Sequence, residues 1–339
     1  FSYNTGLLPK GWGLTLSGSY KQSLGWVEGT PSQGFFGYLK ISKQFDKHLL
    51  TLSAFAAPQQ HGQRSFRQAI QYWSEDEARA LGCTIDSSMF MSNLGIRYNQ
   101  HWGYRTVNGK QEVLSERLNY YNHPQITLKD FWKVNEKLSI SNLAYASIGR
   151  GGGTALYNSG AIIRDSNLLI DWDAIVENNK VNPLFGTPNI DTQYSPTEIK
   201  SSQILLASVN NHFWVGYLGQ ANYKIKEGFE VSAGLDARYY RGSHYQEVKD
   251  LLGGDYYIDL SDKNAASPMK RVGDKISKNL FNANRDGLVT WIGAFGQVEY
   301  ESKKINAFIN LSSIQNGYCG IDYFQKRRLY INDTILEFG

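Results

Sequence analysis

The stretch Phe229-Glu230-Val231-Ser232-Ala233-Gly234-Leu235-Asp236-Ala237-Arg238-Tyr239-Tyr240 alternates with a period of two. Phe229, Val231, Ala233, Leu235, Ala237 and Tyr239 form one row; Glu230, Ser232, Gly234, Asp236, Arg238 and Tyr240 form the other. Such alternation is a β-strand with one apolar and one polar face. Aromatic residues close the apolar row at both ends with small aliphatics between, as a lipid-facing strand crossing two interfaces requires. Strands of a soluble sandwich usually run to about five or six residues, so the length favours a membrane barrel. Trp12, Leu14, Leu16, Gly18 and Tyr20 repeat the pattern, and Ile305, Ala307, Ile309 and Leu311 alternate in the same way.

The composition agrees. The chain of 339 residues holds 22 Tyr, 16 Phe, 8 Trp and 33 Gly but only 8 Pro. Its 35 Lys and Arg against 31 Asp and Glu leave a net charge of +4, too mild to imply a nucleic-acid partner. Two cysteines, Cys83 and Cys319, rule out a disulfide scaffold and a four-cysteine zinc site. No apolar run approaches the ~18 residues of a membrane helix. The chain opens at Phe1 without an export signal, which excludes nothing, because mature secreted chains have lost theirs.

Short polar breaks fall at Pro9-Lys10-Gly11, Asp46-Lys47-His48, Asn135-Glu136-Lys137, Lys226-Glu227-Gly228 and Ser302-Lys303-Lys304, each with turn-forming residues. Long segments, roughly 24–33, 58–117, 150–206, 242–286 and 316–339, lie between these hairpins. Short turns alternating with long loops are the outer-membrane pattern, the long ends being extracellular. Five hairpins give about ten strands, near 1–8, 12–23, 34–45, 49–57, 120–134, 138–149, 211–225, 229–241, 287–301 and 304–315. The expected fold class is all-β, a transmembrane antiparallel β-barrel with long extracellular loops. In this topology the first strand descends and the last ascends, which would leave two bare edges in lipid. Residues 1–339 are therefore expected to be an internal part of one larger barrel domain, with its closing strands absent from this chain.

The loops hold two stretches of helical spacing. One runs over 66–82, with Phe66, Ala69, Ile70 and Trp73 before the acidic Glu75, Asp76 and Glu77; the other covers 168–178, with Leu168, Leu169, Trp172, Ile175 and Val176. Loops this large usually close over a ligand or meet a surface partner. Catalytic motifs are scarce. Gly149-Arg150-Gly151-Gly152-Gly153-Thr154 mimics a phosphate loop but lacks the Gly-Lys-Ser/Thr ending and a following helix. Asp165, Asp171 and Asp173 could collect a hard cation, yet the Ca²⁺-loop spacing is missing. His48, His61, His101, His123, His212 and His244 form no HExxH and no triad pattern. Cys83 and Cys319 fall in expected outer loops, compatible with an oxidised pair or two free thiols. No catalytic residue, metal ligand or cofactor is expected.

Function is better sought on the inward row. Asp236, Arg238 and Tyr240 face inward on one strand, Trp214, Gln220 and Asn222 on its partner, and Trp291, Gln297 and Glu299 on the next. From these and from the loops, the candidate ligand-binding residues are Tyr72, Trp73, Arg150, Trp214, Asp236, Arg238, Tyr240 and Trp291. Aromatic side chains here and at Trp102, Tyr104 and Tyr239 would stack on sugars or planar ligands.

Four segments, GWGLTLSGSYKQS (11–23), LKISKQFDKHLLTLSAFAAPQQHGQRSF (39–66), NHPQITLKDFWKVNEKLSISNLAYASIGRGGG (122–153) and NDTILEFG (332–339), resemble the barrel of TonB-dependent outer-membrane receptors. The type with an N-terminal carboxypeptidase-regulatory-like domain is the nearest in character, and AAPQQHGQRS and ASIGRGGG are the most specific parts. The resemblance implies a 22-strand barrel of a Gram-negative outer membrane, filled by an N-terminal plug that a TonB box couples to the inner-membrane energy-transducing complex. Plug, TonB box and final strand are absent from these residues. The expected function is an active transporter that captures a scarce nutrient: a siderophore, haem, a corrinoid, an oligosaccharide or a peptide. Lipid, lipopolysaccharide and a surface lipoprotein are the other expected partners. A passive porin, a barrel subunit of a secretion or assembly machine, and a surface docking platform are the alternatives. An enzyme is not expected, because the barrel rim lacks a cluster of acidic residues and histidines.

Overall fold

The computed structural model describes residues 1–65, 67–157, 162–277, 284–326, 328–332 and 334–337, the side chains of residues 329 and 330 excepted. Of the sequence expectations, Phe66 and parts of the loops and of the 332–339 segment lie outside the described residues. Ten antiparallel strands form the main wall: β1 (Ser2–Leu7), β2 (Trp12–Ser23), β3 (Ser32–Gln44), β4 (His48–Ala56), β5 (Gln125–Lys133), β6 (Leu138–Tyr157), β7 (Ile204–Lys226), β8 (Phe229–Asp250), β9 (Arg285–Glu301) and β10 (Asn306–Asp322). They pair strictly in that order, so β1 and β10 are the two ends of the sheet. All five expected hairpin turns are present between consecutive wall strands. No helix among the described residues is long and apolar enough to cross a membrane.

The register confirms the two faces. Trp12, Leu14, Leu16 and Tyr20 of β2 pair with Lys43, Ile41, Leu39 and Phe35 of β3. Val231, Leu235 and Tyr239 of β8 pair with Val298, Ala294 and Thr290 of β9. Cross-strand partners share a face, so each apolar row continues into its neighbour. The opposite face carries Ser232, Asp236, Arg238 and Tyr240 beside Gln297, Gly293, Trp291 and Val289. It is not uniformly polar: Leu49, Phe131, Leu143 and Leu218 line a shallow apolar hollow of about 310 Å³ on its inner half.

Several boundaries differ from expectation. The expected strand 120–134 is broken, with Leu118–Asn122 and β5 on either side of His123-Pro124. Its neighbour breaks at the same level, β4 ending before Ala57-Pro58 and a short strand resuming at Gln59–Gly62. Proline has no N–H to give the ladder, so both strands kink there. The Pro58 and Pro124 carbonyls still accept from the Phe35 and Ile148 amides. Beyond the kinks the short strands pair with each other and with β3 and β6. The wall also rises further than side-chain alternation predicts: 150–157, 204–210, 242–250 and 316–322 are strand, not loop, and Cys319 lies in β10. Beyond the alternating rows, backbone pairing continues without any need for an apolar face.

The loops fold into a cap with its own cores. The expected helix 66–82 is two short ones, α1 (Ile70–Trp73) and α2 (Glu75–Ala80), because extended Ser74 interrupts the run and its Oγ caps the Glu77 amide. The expected helix 168–178 begins only at α3 (Trp172–Lys180); Leu168 is left-handed at φ 63° and Asp171 caps the Ala174 amide. Trp172, Ile175 and Ile170 pack with Leu205 of β7 and Leu252 in one core. Tyr72, Tyr98, Trp102 and Leu169 form a second, and Ile204, Leu206, Val248 and Ile276 a third. Cys83 and Cys319 are both exposed free thiols.

Candidate functional site

Five of the eight candidate residues come together on the polar wall of β7, β8 and β9. Trp214 pairs with Tyr240 and their ring centroids are 4.6 Å apart. Arg238 stands 5.3 Å over the Trp291 ring and grips Asp236 through two hydrogen bonds of 2.9 and 2.6 Å. That bidentate pair fixes the guanidinium plane against the indole.

The other three are elsewhere. Arg150 lies on the opposite face, since its partner Asn211 stands in register with Ser243, while its neighbour Gly149 pairs with His212, which stands in register with Gly242. Tyr72 is 4% exposed inside the second cap core. Trp73 sits in the same cluster with Arg64 at 5.0 Å over its ring. Burial pushes the Tyr72 and Tyr98 hydroxyls up, so both stay protonated and serve the cap. The three acidic candidates are also occupied: Asp165 accepts from the Asn167 and Leu169 amides, Asp171 caps α3, and Asp173 accepts from the Thr106 amide and hydroxyl.

Histidines complete the site. His212 shares a hydrogen bond of 2.7 Å with the Tyr240 hydroxyl. Its ring lies 5.4 Å from His123 and 5.8 Å from His244, which is bonded to Asn210 at 2.6 Å. His212 was legible, being two residues before Trp214 and hence on the same face. His244 was hidden in an expected loop, and His123 depends on the Pro124 kink. That kink lays the His123 ring over Gly149, where a Cβ would sit 3.0 Å from the ring. Gly242 likewise leaves room for the Tyr240 hydroxyl and the His244 ring. Among the described residues no group of three His, Cys, Asp or Glu is placed to hold a metal ion.

Two adjoining chambers result. An inner one of about 560 Å³ is lined by Phe55, Tyr145, Trp214 and Tyr240, with Gln125 and Ser147. An outer one of about 450 Å³ is lined by Gln63, Arg117, Asn119, Ser208 and Asn210 along the Gly151-Gly152-Gly153 run. His123 and His212 belong to both. The segments 56–65 and 146–153, most specific in the sequence resemblance, meet here. Next to the outer chamber, Glu116 is buried. Its burial raises the carboxyl pKa, but the His101 hydrogen bond, the Arg117 and His101 charges and the Leu156 amide outweigh this and hold it below the ordinary range.

No protein-family model matches the chain, and no curated protein matches it. Solved structures do. The open form of the ferric-catecholate import receptor Fiu from E. coli K12 is similar with a TM-score of 0.51 at 11% identity, over 94% of this chain and 42% of that one. The closed form of Fiu gives 0.48 at 10% identity, over 94% and 39%. The RagAB peptide transporter gives 0.47 at 12% identity, over 94% and 31%. The chain thus spans about two fifths of the length of the open receptor. The likeness is one of fold: this wall is similar to the barrels of outer-membrane TonB-dependent receptors.

Proposed function

We propose that this chain forms part of the barrel of an outer-membrane active importer. A scarce nutrient binds to the extracellular loops and the polar wall, and energy delivered through TonB drives its release into the periplasm. In the whole protein the wall is closed by further strands and filled by a plug, in a receptor of the type with an N-terminal carboxypeptidase-regulatory-like domain. The observation that carries the reading is the pair of joined chambers on the polar face, at the level where the wall meets the folded cap. Import requires binding and release, and aromatic faces beside imidazoles and amides supply binding without any covalent step.

Uptake of labelled ferric siderophore, haem, corrinoid, oligosaccharide and peptide would be compared in cells with and without the gene, and with TonB deleted. Uptake of one of them that needs both gene and TonB is expected. Gene-dependent but TonB-independent uptake would replace this reading with a passive porin or a subunit of a secretion or assembly machine. A docking platform for a surface lipoprotein is the second reading. It is favoured by Leu184 and Phe185, which are 83% and 74% exposed at the tip of the hairpin joining Val181–Asn182 to Thr187–Pro188. Capture of a lipoprotein without any uptake would select it.

A further inference from the structure

We propose that the two joined chambers bind an uncharged, hydroxyl-bearing ring compound, its ring against Trp214 and Tyr240 and its hydroxyls toward Asn119 and Asn210. This rests on the import reading and names the ligand class for that site. The inner chamber supplies flat faces: the Trp214 and Tyr240 ring centroids are 4.6 Å apart, and Phe55 and Tyr145 share the lining. Such faces suit an aromatic ring or the C–H face of a sugar. The outer chamber supplies neutral groups that both donate and accept. The Asn119 amide makes no hydrogen bond among the described residues. Asn210 accepts from His244 at 2.6 Å through Oδ1 and keeps its Nδ2 as a donor. The Ser208 hydroxyl accepts from Gln246 at 3.2 Å and keeps its own proton to give. Between the two, Gln125 donates to Thr127 at 3.0 Å and leaves its Oε1 as an acceptor. An amide sets a donor beside an acceptor, which matches a hydroxyl, itself both.

Charge separates this ligand class from the others. No Asp, Glu or Lys lines either chamber among the described residues, and Arg117 is the one arginine there. Its charge is already answered, because its Nε lies 3.9 Å from the Glu116 carboxylate. Arg238 and Asp236, next along the wall, are likewise paired with each other. A charged ligand would give up its water and meet no open counter-charge, a cost that a neutral one does not carry. A ligand without hydroxyls would instead leave the Asn119 and Asn210 amides dry and unpaired. Because His123 and His212 border both spaces, the flat end and the polar end belong to one site. Each chamber alone lies within the range of about 300–1,000 Å³ common for small-molecule sites.

The protein, purified from the outer membrane in detergent, would be titrated calorimetrically at pH 8, above the ordinary imidazole pKa of about 6.5. Two neutral–acid pairs serve as probes: galactotriose against trigalacturonate, and 2-naphthol against 2-naphthoate. At least one neutral probe should bind about tenfold or more tightly than its acid, with an affinity that holds as salt is raised. Preference confined to the first pair identifies a sugar, and to the second an aromatic alcohol. Trp214→Ala and Asn119→Ala should each weaken that probe, the first by about tenfold. Acids that bind as tightly as their neutral partners in both pairs, no binding of any probe, or unchanged affinity in both variants overturns the proposal. Should the variants not fold, the salt series on the parent decides, and an affinity that falls as salt is raised overturns it. TonB-dependent uptake of a charged nutrient that is lost in W214A would sink this proposal alone and leave the import reading standing. Neutral preference in the purified protein together with TonB-independent uptake would do the reverse.

Discussion

Leu235 in β8 and Trp172 in α3 are both large apolar side chains, yet Leu235 is 58% exposed and Trp172 0%. Leu235 belongs to the wall, where Ile292 at 67% and Leu311 at 74% are no better covered. The wall has no core of its own on that face; it is held by continuous ladders, twenty register pairs between β6 and β7 alone, and the import reading assigns its apolar solvent to the bilayer. The cap stands in water and must make its own apolar interior, which it does with Trp172, Ile175 and Leu252, all at 0%. The same chain thus holds one region together by backbone ladders and the other by buried side chains.

The largest effect expected from that contrast is in the cap. Trp172→Ala should cost it about 3–5 kcal/mol, read as lost hydrogen-exchange protection in 162–203 with the ladders of β7 and β8 unchanged. Loss of protection in both regions would show that cap and wall fold as one unit. In the wall, Leu235→Lys should cost about 2–4 kcal/mol near the bilayer midplane, measured by urea unfolding in lipid vesicles. Ser232→Lys, three residues away on the other face, should fold nearly as the parent does. Equal damage from both would refute the assignment of faces.

A smaller effect is expected at Asn179. Its Nδ2 donates to the Gln203, Leu251 and Leu252 carbonyls and its Oδ1 accepts from the Ser202 and Gln203 amides. Asn179→Ala should cost about 1–3 kcal/mol for the orphaned groups, seen as protease sensitivity near 250–254; unaltered cleavage would mean that water replaces the amide. The mildest lever is pH. Because the Glu116 carboxyl is held below its ordinary value, its contribution is complete above an unfolded pKa of about 4.3 and is lost as pH falls through the lower folded value. Cap protection around 101–118 should hold at pH 7 and weaken below about pH 4. If the weakening set in near pH 6 instead, another titrating group would control the cap.

Much of the wall was legible because a strand with one apolar face leaves a period-two trace that needs no knowledge of its partners. Trp214, Asp236, Arg238, Tyr240 and Trp291 share one face by parity alone, and the register sets them side by side. Arg150 shows the limit. It stands in a glycine-rich run beside the polar face, and one step in parity puts it behind the wall. Tyr72 and Trp73 are loop aromatics by sequence, and the structure buries Tyr72 in a core with Trp73 packed against it. The aromatic content of a loop does not reveal whether that loop folds back on itself.

Alternation, turn chemistry and the unequal breaks determined the strand class, the two faces and the order of the hairpins, since each depends only on residues near in sequence. The tertiary structure decided the site. Phe55, Tyr145 and His212 come from β4, β6 and β7, whose register sets them on one face, and His123 joins them from the break before β5. It also decided that Glu116 meets both His101 and Arg117 at the base of the cap. Contacts between residues far apart in the chain follow from register and packing, and neither is written in any local period.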